Sequence, residues 1–431
     1  MDNLVKKKQL TIEQSWEVLF DRHDILHKVH KDGSFHITST EINTVKEARL
    51  MAKFDESSRL PHVFKDNKLS IVPITRGEYL IGPFATHMPV VYADVKPKIA
   101  PIPDLVTLDY TNLYSESSAL LFAYNSGIMA DVMNSSSIHF TVNGRMSSGA
   151  FNYTIDNLMH LGERNTIEVL NSQIEIDAGY ESKDLFCICE AKNIAVNDLL
   201  VRQLYYPYRL WTSKINKPVL PVFMVYSNDI FHTFTYEFKE LNHYNSLELV
   251  GHNAYTFADE LITFPDIVEL YKSITPIEEP ETTFPQANSF ARVVDLLSVL
   301  YEHKMTRDEV SLNYEFDDRQ TNYYISACEY LGLIKRNNSY EGERIYELTK
   351  EAKQIMSLGY KKKYLSLIKK VLERPVFYET FSLSLSMNRV PTINSIRYIM
   401  SNHNLSINQT TINRRSSTVR SWLDWIFSQS K

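Results

Sequence analysis

Two acidic residues and a lysine, carried by two short apolar runs, are the residues of this sequence best suited to catalysis. The first run is Gln173-Ile-Glu-Ile-Asp177, and the second, Leu185-Phe-Cys-Ile-Cys-Glu-Ala-Lys192, contains Glu190 near its end. Their alternating patterns predict two β-strands, with Glu190 and Lys192 on one face of the second. If the strands pair as a hairpin, the carboxylates of Asp177 and Glu190 converge.

Charged groups at the ends of apolar strands are costly to bury unless something compensates them. Two carboxylates and a backbone carbonyl, that of Ala191, suit Mg²⁺, which takes its other ligands from water and substrate phosphate. Lys192 would then lie beside the attacking water and help to deprotonate or orient it. The set predicts in-line hydrolysis of a phosphodiester. The alternative is an internal ion pair between Lys192 and Glu190 or Asp177 at a sheet edge.

The elements around the two runs predict an α/β fold, a mixed sheet with helices packed on it. A helical period over residues 116–133 is followed by several alternating runs, which include the two above. A further helix is predicted over about 196–211, and a very apolar strand follows at 219–226. The order is therefore helix, several strands, helix and strand.

Two Pro-rich stretches, at residues 95–103 and 275–285, predict linkers, because proline interrupts both helices and central strands. Beyond the second stretch, three helical patterns precede a β-hairpin, an order typical of the winged helix-turn-helix. The predicted organisation is an N-terminal α+β region with a candidate DNA contact at 1–95, the mixed-sheet core at 104–280, a winged helix-turn-helix at 286–355 and a basic helical, helix-turn-helix-like domain at 360–431.

The order of acid, Glu-x-Lys, helix and strand resembles the PD-(D/E)XK nuclease superfamily. This resemblance implies that Asp177 and Glu190 hold the metal and that Lys192 is the catalytic lysine. Ile176 precedes Asp177 where the superfamily motif has proline, but that position contributes no ligand. More closely, five segments look similar to parts of a group of type II restriction endonucleases: residues 47–55, 173–181, 190–193, 201–209 and 413–425.

Three accessory residues are candidates for the same site. Glu116 corresponds in position to an extra acid found in many of these enzymes, although an acid at a helix N-terminus is also favoured by the macrodipole. Glu175 shares a strand face with Asp177. Gln203, together with Arg202, lies on the helix predicted after the second strand, where it would orient substrate phosphate.

Charge is distributed unevenly along the chain. Residues 361–431 contain twelve Lys or Arg and three acids, a net charge of +9, whereas the other residues carry −15, for a total of −6. A basic segment on an acidic body favours contact with a polyanion. Polar side chains of the winged segment would read base edges and its basic ones would hold phosphates. The candidate DNA contacts are Arg319, Gln320, Asn322, Lys335 and Arg336 in that segment, and Asn413, Arg414, Arg415 and Arg420 in the basic terminal segment.

Composition excludes several other classes of protein. No apolar run of about 18 residues is present to span a bilayer, and the first residues lack the apolar part of a secretory signal. Three cysteines cannot form a disulfide framework, which fits a reducing cytoplasm. The sequence has no GxxxxGK[ST] phosphate loop, GxGxxG turn or GxSxG elbow for nucleotide-driven or serine-hydrolase chemistry.

The sequence thus predicts a cytoplasmic, Mg²⁺-dependent type II restriction endonuclease that acts on double-stranded DNA. Cutting both strands needs one site per strand, so a homodimer is expected, at least on DNA. The resemblance also implies a cognate DNA methyltransferase that protects the host. Two alternatives remain open: a structure-specific or repair nuclease with the same core, and a winged-helix DNA-binding regulator whose nuclease core has decayed. The winged segment and the terminal arginines would equally serve protein contacts.

Overall fold

The chain adopts the mixed α/β fold that the sequence predicts, built around a seven-stranded sheet with parallel and antiparallel neighbours. A hydrophobic cluster fills the N-terminal region, and two larger clusters cover the faces of the sheet. The computed structural model describes residues 10–430 except 114, 259, 314–317, 339–342, 404 and 406, with the backbone alone at 312, 313, 318 and 319.

The N-terminal region, residues 10–82, is a three-stranded antiparallel sheet covered by short helices. Helix α1 (Ile12–His23) begins with a capping box, in which the side chains of Thr11 and Gln14 each accept from the other's backbone N–H. Its apolar face buries Trp16, whose ring meets that of Phe64 edge-on at 4.9 Å. The remaining elements are α2 (Ile25–Asp32), β1 (Phe35–Thr38), α3 (Ser39–Asn43), α4 (Ala48–Met51), α5 (His62–Lys65), β2 (Ser70–Pro73) and β3 (Glu78–Gly82), and the strand order is β1-β3-β2.

The central region, residues 87–273, supplies the strands of the large sheet. Branched and aromatic side chains dominate these runs, the composition that fits a half-buried pleated surface. The strands of this region are β4 (His87–Pro89), β5 (Lys98–Ile99), β6 (His139–Ser147), β7 (Ala150–Asp156), β8 (Arg164–Leu170), β9 (Gln173–Glu181), β10 (Phe186–Lys192), β11 (Asp198–Leu200), β12 (Val219–Ser227), β13 (Ile230–Phe238) and β14 (Leu247–Thr256). Outside the large sheet, β4 pairs with β11 and β7 pairs with β8.

The order across the large sheet is β5-β14-β13-β12-β10-β9-β6. Strand β10 pairs parallel to β12 and antiparallel to β9, so both of its edges are covered. Interior strands with both faces buried read as nearly continuous apolar runs, which explains the composition of β12. Along β12, Met224 and Tyr226 enter the cluster on one face, while Phe223 and Val225 enter the cluster on the other.

Helices α6 (Glu116–Asn125) and α7 (Ile128–Val132) cover one face of the sheet. The sequence predicts one helix over residues 116–133, but the helix is interrupted at Gly127. Its φ of 80° lies in the left-handed region that favours glycine, and this residue becomes the N-cap of α7. The opposite face is covered by α8 (Arg202–Lys214), and α9 (Phe264–Ser273) follows the last strand.

Two local predictions around β10 are wrong. The helix predicted over about 196–211 begins only at Arg202, because residues 198–200 form β11 and pair with β4, a strand from a distant segment. The seven-residue turn predicted at 178–184 is also too long. Strand β9 continues to Glu181, which pairs directly with Phe186 at the start of β10.

The C-terminal region, residues 290–428, is mainly helical and shares a hydrophobic cluster with the central sheet. Three helices precede a β-hairpin, in the predicted order. The elements are α10 (Phe290–Glu302), β15 (Met305–Thr306), α11 (Arg307–Asn313), α12 (Asp318–Tyr330), β16 (Ile334–Asn338), β17 (Arg344–Leu348), α13 (Lys350–Met356), α14 (Tyr360–Leu372), α15 (Pro375–Met387), α16 (Ile393–Asn402) and α17 (Gln409–Ser428). The small antiparallel sheet has the order β15-β17-β16.

The two Pro-rich stretches, at residues 95–103 and 275–285, pack against the rest of the fold. The first contains β5, which pairs with the end of β14. In the second, the backbone N–H of Ile277 donates to the carbonyl of Glu373 at 2.9 Å, and Phe284 is buried. Among the helices described, none combines the length and the hydropathy needed to cross a lipid bilayer.

Candidate active site

Strands β9 and β10 bring Asp177 and Glu190 together. Their register pairs Cys189 with Ala178, so one further step along the hairpin sets the two acids opposite each other on one face. The carboxylate of Asp177 also accepts a hydrogen bond from the backbone N–H of Ala191, at 2.9 Å. The backbone of this short hairpin therefore holds the two carboxylates close together.

Lys192 lies two residues beyond Glu190 on β10, on the same face. Its Nζ donates to Oε1 of Glu190 at 2.8 Å, and only 11% of its side chain is exposed. The structure thus brings together Asp177, Glu190 and Lys192, the three residues to which the sequence pattern gives catalytic roles.

Two more acids approach Lys192 from other elements. Glu116 is the first residue of α6, and its Oε1 lies 3.9 Å from Lys192 Nζ. Asp55, in the loop after α4, places Oδ2 at the same distance from Lys192 Nζ and 3.7 Å from Nζ of Lys53. Glu116 is a predicted accessory residue, whereas sequence reasoning missed Asp55. The only signal for Asp55 is its position at the end of segment 47–55, one of those that resemble restriction enzymes.

Helix α8 adds an amide to the cluster. Nε2 of Gln203 donates to Oε1 of Glu190, the same oxygen that accepts from Lys192. The neighbouring guanidinium of Arg202 lies 5.9 Å from the ring centroid of Tyr206 and lines the same cleft. Gln203 therefore orients an acid of the site, and its predicted contact with phosphate stays a prediction.

Burial and mutual repulsion shift the protonation of these groups. Burial raises the pKa of Glu190 to about 8; Lys192 opposes this rise, while the charges of Asp177 and Asp55 add to it. Burial likewise raises the pKa of Asp177. Burial alone would lower the pKa of Lys192, but the carboxylates around it hold that pKa well above its usual value. A further cation near these acids would favour their ionised forms.

Acidic side chains outnumber basic ones at this point of the molecule. Asp55, Glu116, Asp177 and Glu190 all act on the single ammonium of Lys192. In the part of the chain that the structure describes, no three His, Cys, Asp or Glu side chains are already arranged as ligands of one metal ion. The lysine ammonium lies among the carboxylates instead.

The cluster lies in a cleft of about 740 Å³ between two regions of the chain. The N-terminal region lines one side with residues from the span 39–79, and the central region lines the other with residues from 116–207. Cationic side chains occur on both sides of the acids, and positive charge along a cleft attracts anions. They are Arg49, Lys53 and Arg76 on the N-terminal side, and Arg145 and Arg202 on the central side.

Glu175 lines this cleft without joining the cluster. Its side chain is 57% exposed, and its Oε2 lies 3.3 Å from Nε of Arg145. It shares a strand with Asp177 but pairs across to β6 rather than with Lys192. The predicted accessory role of Glu175 therefore has less geometric support than that of Glu116.

The predicted base-reading residues lie on α12. Asn322 is exposed and Gln320 is half-buried. The side chain of Arg319 lies outside the described part of the structure. These residues belong to the C-terminal region, whereas the cleft is lined by the other two regions.

The predicted phosphate contacts of the hairpin are already engaged in ion pairs. Nζ of Lys335 lies 2.9 Å from Oε1 of Glu347, and Arg336 pairs with Glu329. Each basic side chain would have to leave or share its acid to contact DNA. Their predicted role stays a prediction.

The predicted contacts of the terminal segment lie along α17. Asn413, Arg414 and Arg420 are exposed, and Arg420 faces Asp424 one turn away at 3.9 Å. Arg415 is half-buried, and both this burial and the charge of Arg414 lower its pKa. The exposed residues of α17 thus retain the positive surface that the sequence predicts.

Three family models match the chain, and each is described as a domain of unknown function. They are DUF6996 at residues 13–81, DUF6997 at 82–256 and DUF7226 at 292–431. No curated protein and no solved structure matches the chain. Asp55 falls within the first match and the other acids of the cluster fall within the second, so the cluster joins two separately matched segments.

Proposed function

We propose that this protein is a Mg²⁺-dependent endonuclease of the type II restriction kind, which hydrolyses phosphodiester bonds of double-stranded DNA at a specific short sequence. One observation carries the proposal: Asp177, Glu190 and Lys192 meet in a cleft whose two sides carry arginine and lysine. Basic sides attract a phosphate backbone, and the acids between them attract a divalent cation.

The donor set fits Mg²⁺. Carboxylate oxygens are the protein ligands that this ion prefers, and it usually takes one or two of them together with waters and substrate phosphate. Asp177 and Glu190 would hold it, because the β9–β10 hairpin brings their carboxylates together on one face. A bound cation would lower the pKa values that burial raises. When bound, the metal would supply Lewis-acid stabilisation of the phosphate and lower the pKa of a bound water.

The other residues would position the reacting groups. The ammonium of Lys192, already directed at Glu190, would orient the attacking water and stabilise negative charge on the scissile phosphate. Gln203 would keep Glu190 in place through its amide hydrogen bond. Glu116, the first residue of α6, would help to keep the ammonium of Lys192 in position.

The order of the elements supports a PD-(D/E)XK core. The acids lie on the antiparallel hairpin β9–β10, helix α8 follows, and β12 returns parallel to β10. In the C-terminal region, α10, α11 and α12 followed by the β16–β17 hairpin support a winged helix-turn-helix. The first order is the one that the resemblance to the nuclease superfamily implies, and the second is the one that the sequence pattern predicts.

The proposed enzyme has an expected substrate, expected partners and an expected location. The substrate is double-stranded DNA, and each strand needs its own catalytic site, so the enzyme would act as a homodimer, at least on DNA. A cognate DNA methyltransferase would protect the host sequence. Both activities would operate in the cytoplasm.

The test incubates the purified full-length protein with unmodified plasmid DNA and Mg²⁺. We expect discrete fragments from the wild-type protein. Lys192→Ala should slow cutting by about 1,000-fold or more, because it removes a proton-transfer and charge-stabilising group. Lys183→Ala is the matched control, since Lys183 is an exposed lysine in the turn of the same hairpin. Both variants should retain specific DNA binding in a gel-shift assay without Mg²⁺.

The other outcomes distinguish the alternatives. Cutting that survives Lys192→Ala would overturn the catalytic assignment. Cutting restricted to DNA junctions or damaged sites would indicate a structure-specific or repair nuclease. Specific binding without any cutting would indicate a DNA-binding regulator with a decayed core.

A further inference from the structure

Two arginines of helix α8 differ in their surroundings, although each lies beside an aromatic ring. The guanidinium of Arg202, the first residue of the helix, lies 5.9 Å from the ring centroid of Tyr206. That of Arg209 lies 4.8 Å from the ring centroid of Phe151 and 5.8 Å from that of Tyr205. Both arginines are half-buried, so neither burial nor cation–π contact distinguishes them.

The hydrogen bonds of the two guanidinium groups do distinguish them. Nη1 of Arg209 donates to the carbonyl of Asn152 and to the hydroxyl of Tyr205, each at 3.0 Å. In the part of the chain that the structure describes, the side chain of Arg202 has neither a hydrogen-bond acceptor nor an acid within ion-pair distance. A guanidinium carries five N–H donors, and a half-buried one loses free energy unless water or a ligand supplies their acceptors.

The other cationic side chains on the two sides of the cleft are in different settings. Three of them are paired with acids: Arg49 with Glu47, Lys53 with Asp55 and Arg145 with Glu175. Arg76 is exposed, so water hydrates its charge. Within the ranges that the structure describes, Arg202 is therefore the half-buried arginine of the cleft that has no acidic partner.

Arg202 lies beside the catalytic cluster and close to the N-terminal region. The next residue, Gln203, donates to Oε1 of Glu190, and both Arg202 and Gln203 line the cleft. Tyr79, on β3, lines the cleft from the N-terminal region; burial raises the pKa of Tyr79, and the charge of Arg202 opposes this rise. Gln203 thus contacts an acid of the site, whereas Arg202 is available to an anion that enters the cleft.

A purely structural role explains only part of this arrangement. The ring of Tyr206 attracts the cation, but it offers no oxygen to the N–H groups, which lie in the guanidinium plane. At Arg209, a carbonyl and a hydroxyl accept from such groups in addition to the ring contacts. A phosphate would do the same for Arg202, because two of its oxygens match the planar fork of a guanidinium.

We propose that Arg202 binds a phosphate of the DNA strand in the cleft, through two N–H groups that donate to two phosphate oxygens, next to the bond that is cut. This inference rests on the proposed function and adds a substrate-binding residue to the same site. The contact with Tyr206 would hold the guanidinium in place before DNA binds, which reduces the loss of side-chain freedom on binding.

The test measures the affinity of the full-length protein for a fluorescein-labelled DNA duplex without Mg²⁺, by fluorescence anisotropy at several salt concentrations. We expect Arg202→Gln to weaken binding by at least about tenfold, because a charge-assisted contact is lost. The slope of log affinity against log salt concentration should fall in magnitude by about 1, the value of one phosphate contact. Arg209→Gln is the matched control, since it removes a half-buried arginine and its ring contacts from the same helix, and it should leave both quantities unchanged.

A conservative variant separates the charge of Arg202 from the shape of its guanidinium. Arg202→Lys keeps the positive charge but loses the planar fork, so it should retain the wild-type salt slope while its affinity stays several-fold below that of the wild type. Should Arg202→Gln fail to fold, this loss of affinity is the test. An affinity of Arg202→Lys equal to that of the wild type would then overturn the two-oxygen contact.

Cutting of plasmid DNA with Mg²⁺, measured on the same protein, separates this inference from the proposed function. If the wild type cuts and Arg202→Gln binds DNA with unchanged affinity and slope, the phosphate contact is overturned and the proposed function stands. If Arg202→Gln loses the contact but the wild type cuts no DNA, the proposed function is overturned and the phosphate contact stands. Equal losses in Arg202→Gln and Arg209→Gln would assign both arginines to helix packing and overturn the inference. A wild-type protein that binds no DNA would overturn both proposals.

Discussion

Two buried lysines show how the same kind of group can occupy two different electrostatic settings in this protein. The side chains of Lys192 and Lys363 are 11% and 5% exposed, and each lies within 3 Å of a carboxylate, that of Glu190 or of Asp229. Lys192 lies in the open cleft. Lys363, on α14, borders a much smaller cavity of about 20 Å³, room for about one water molecule.

The balance of charge differs between the two settings. At Lys363, the two oxygens of Asp229 are used separately: Oδ2 lies 2.6 Å from Nζ of the lysine, and Oδ1 accepts from the hydroxyl of Tyr226 at 2.9 Å. One acid there faces one base. Around Lys192, four acids act on one ammonium.

This difference separates a structural pair from a candidate binding site. A buried pair of opposite charges is neutral as a whole and needs no further ion. A surplus of acids in an open cleft shifts pKa values and binds cations, which is how functional sites are usually built. The interior pair is therefore expected to matter for stability, and the cleft cluster for ion binding and catalysis.

Replacing each lysine with methionine should give the largest contrast. Lys363→Met leaves Asp229 buried without its base, so the free energy of unfolding should fall by about 3–5 kcal/mol, with or without Mg²⁺. Lys192→Met should slow DNA cutting by about 1,000-fold. Its loss of stability should be largely restored by Mg²⁺, because a bound ion replaces the missing positive charge. Urea unfolding with EDTA or Mg²⁺ measures both effects.

The decisive comparison is the effect of Mg²⁺ on the two variants. Recovery of Lys363→Met to the same extent as Lys192→Met would mean that the ion acts on the whole protein and not at the cleft. At temperatures where it stays folded, Lys363→Met should cut DNA at nearly the wild-type rate.

Neutralising one acid in each setting should change stability in opposite directions. Burial raises the pKa of Glu190 to about 8, so at pH 9 this acid is ionised in the folded protein. At that pH Glu190→Gln removes charge from the surplus and leaves Lys192 with three other acids, so we expect unfolding in EDTA to require about 1 kcal/mol more. Asp229→Asn leaves Lys363 as a buried cation without its acid and should cost about 3 kcal/mol. Thermal unfolding in EDTA measures both changes in stability. Destabilisation by Glu190→Gln would contradict a surplus of negative charge around Lys192.

The buried acid Asp295 makes the stability of the folded protein depend on pH. Burial raises the pKa of this acid from 3.8 to about 7, although it accepts hydrogen bonds from Ala195 and Ser227. Between these two pKa values the folded protein binds a proton that the unfolded chain releases. The contribution of Asp295 to the free energy of unfolding is therefore complete below pH about 4 and is lost as the pH rises to about 7.

The unfolding free energy of the wild-type protein, compared with that of Asp295→Asn, isolates this contribution. The advantage of the wild type should shrink by on the order of 2 kcal/mol between pH 5 and pH 7.5, since each unit of pKa shift corresponds to about 1.4 kcal/mol. Chemical denaturation at several pH values measures the difference. A constant difference would show that Asp295 does not titrate in this range.

The comparison also shows what the sequence alone could predict. Asp177, Glu190 and Lys192 were found because they lie on adjacent strands of one hairpin, where alternation determines which side chains share a face. Asp55 was missed because it reaches Lys192 from a loop of the N-terminal region that is far away in the sequence. The start of α8 was misplaced for the same reason, since β11 pairs with β4. Local patterns carry no information about such long-range contacts.

The smallest expected effect tests whether the N-terminal side of the cleft contacts the DNA backbone. Arg76 is exposed there, and no carboxylate in the described part of the chain forms an ion pair with it. Arg336, on the hairpin of the C-terminal region, is paired with Glu329. If the cleft holds the DNA backbone, Arg76→Gln should make the plot of log DNA affinity against log salt concentration less steep. The slope should fall in magnitude by about 1, the value of one phosphate contact.

Arg336→Gln should change that slope less, because this arginine must separate from Glu329 before it can neutralise a phosphate. Fluorescence anisotropy with a labelled duplex, between about 50 and 200 mM salt and without Mg²⁺, measures both variants. A larger change for Arg336→Gln would place the main backbone contact on the hairpin. The cleft would then receive only the strand being cut, and the open negative cluster would bind its ion without help from a basic side on the N-terminal region.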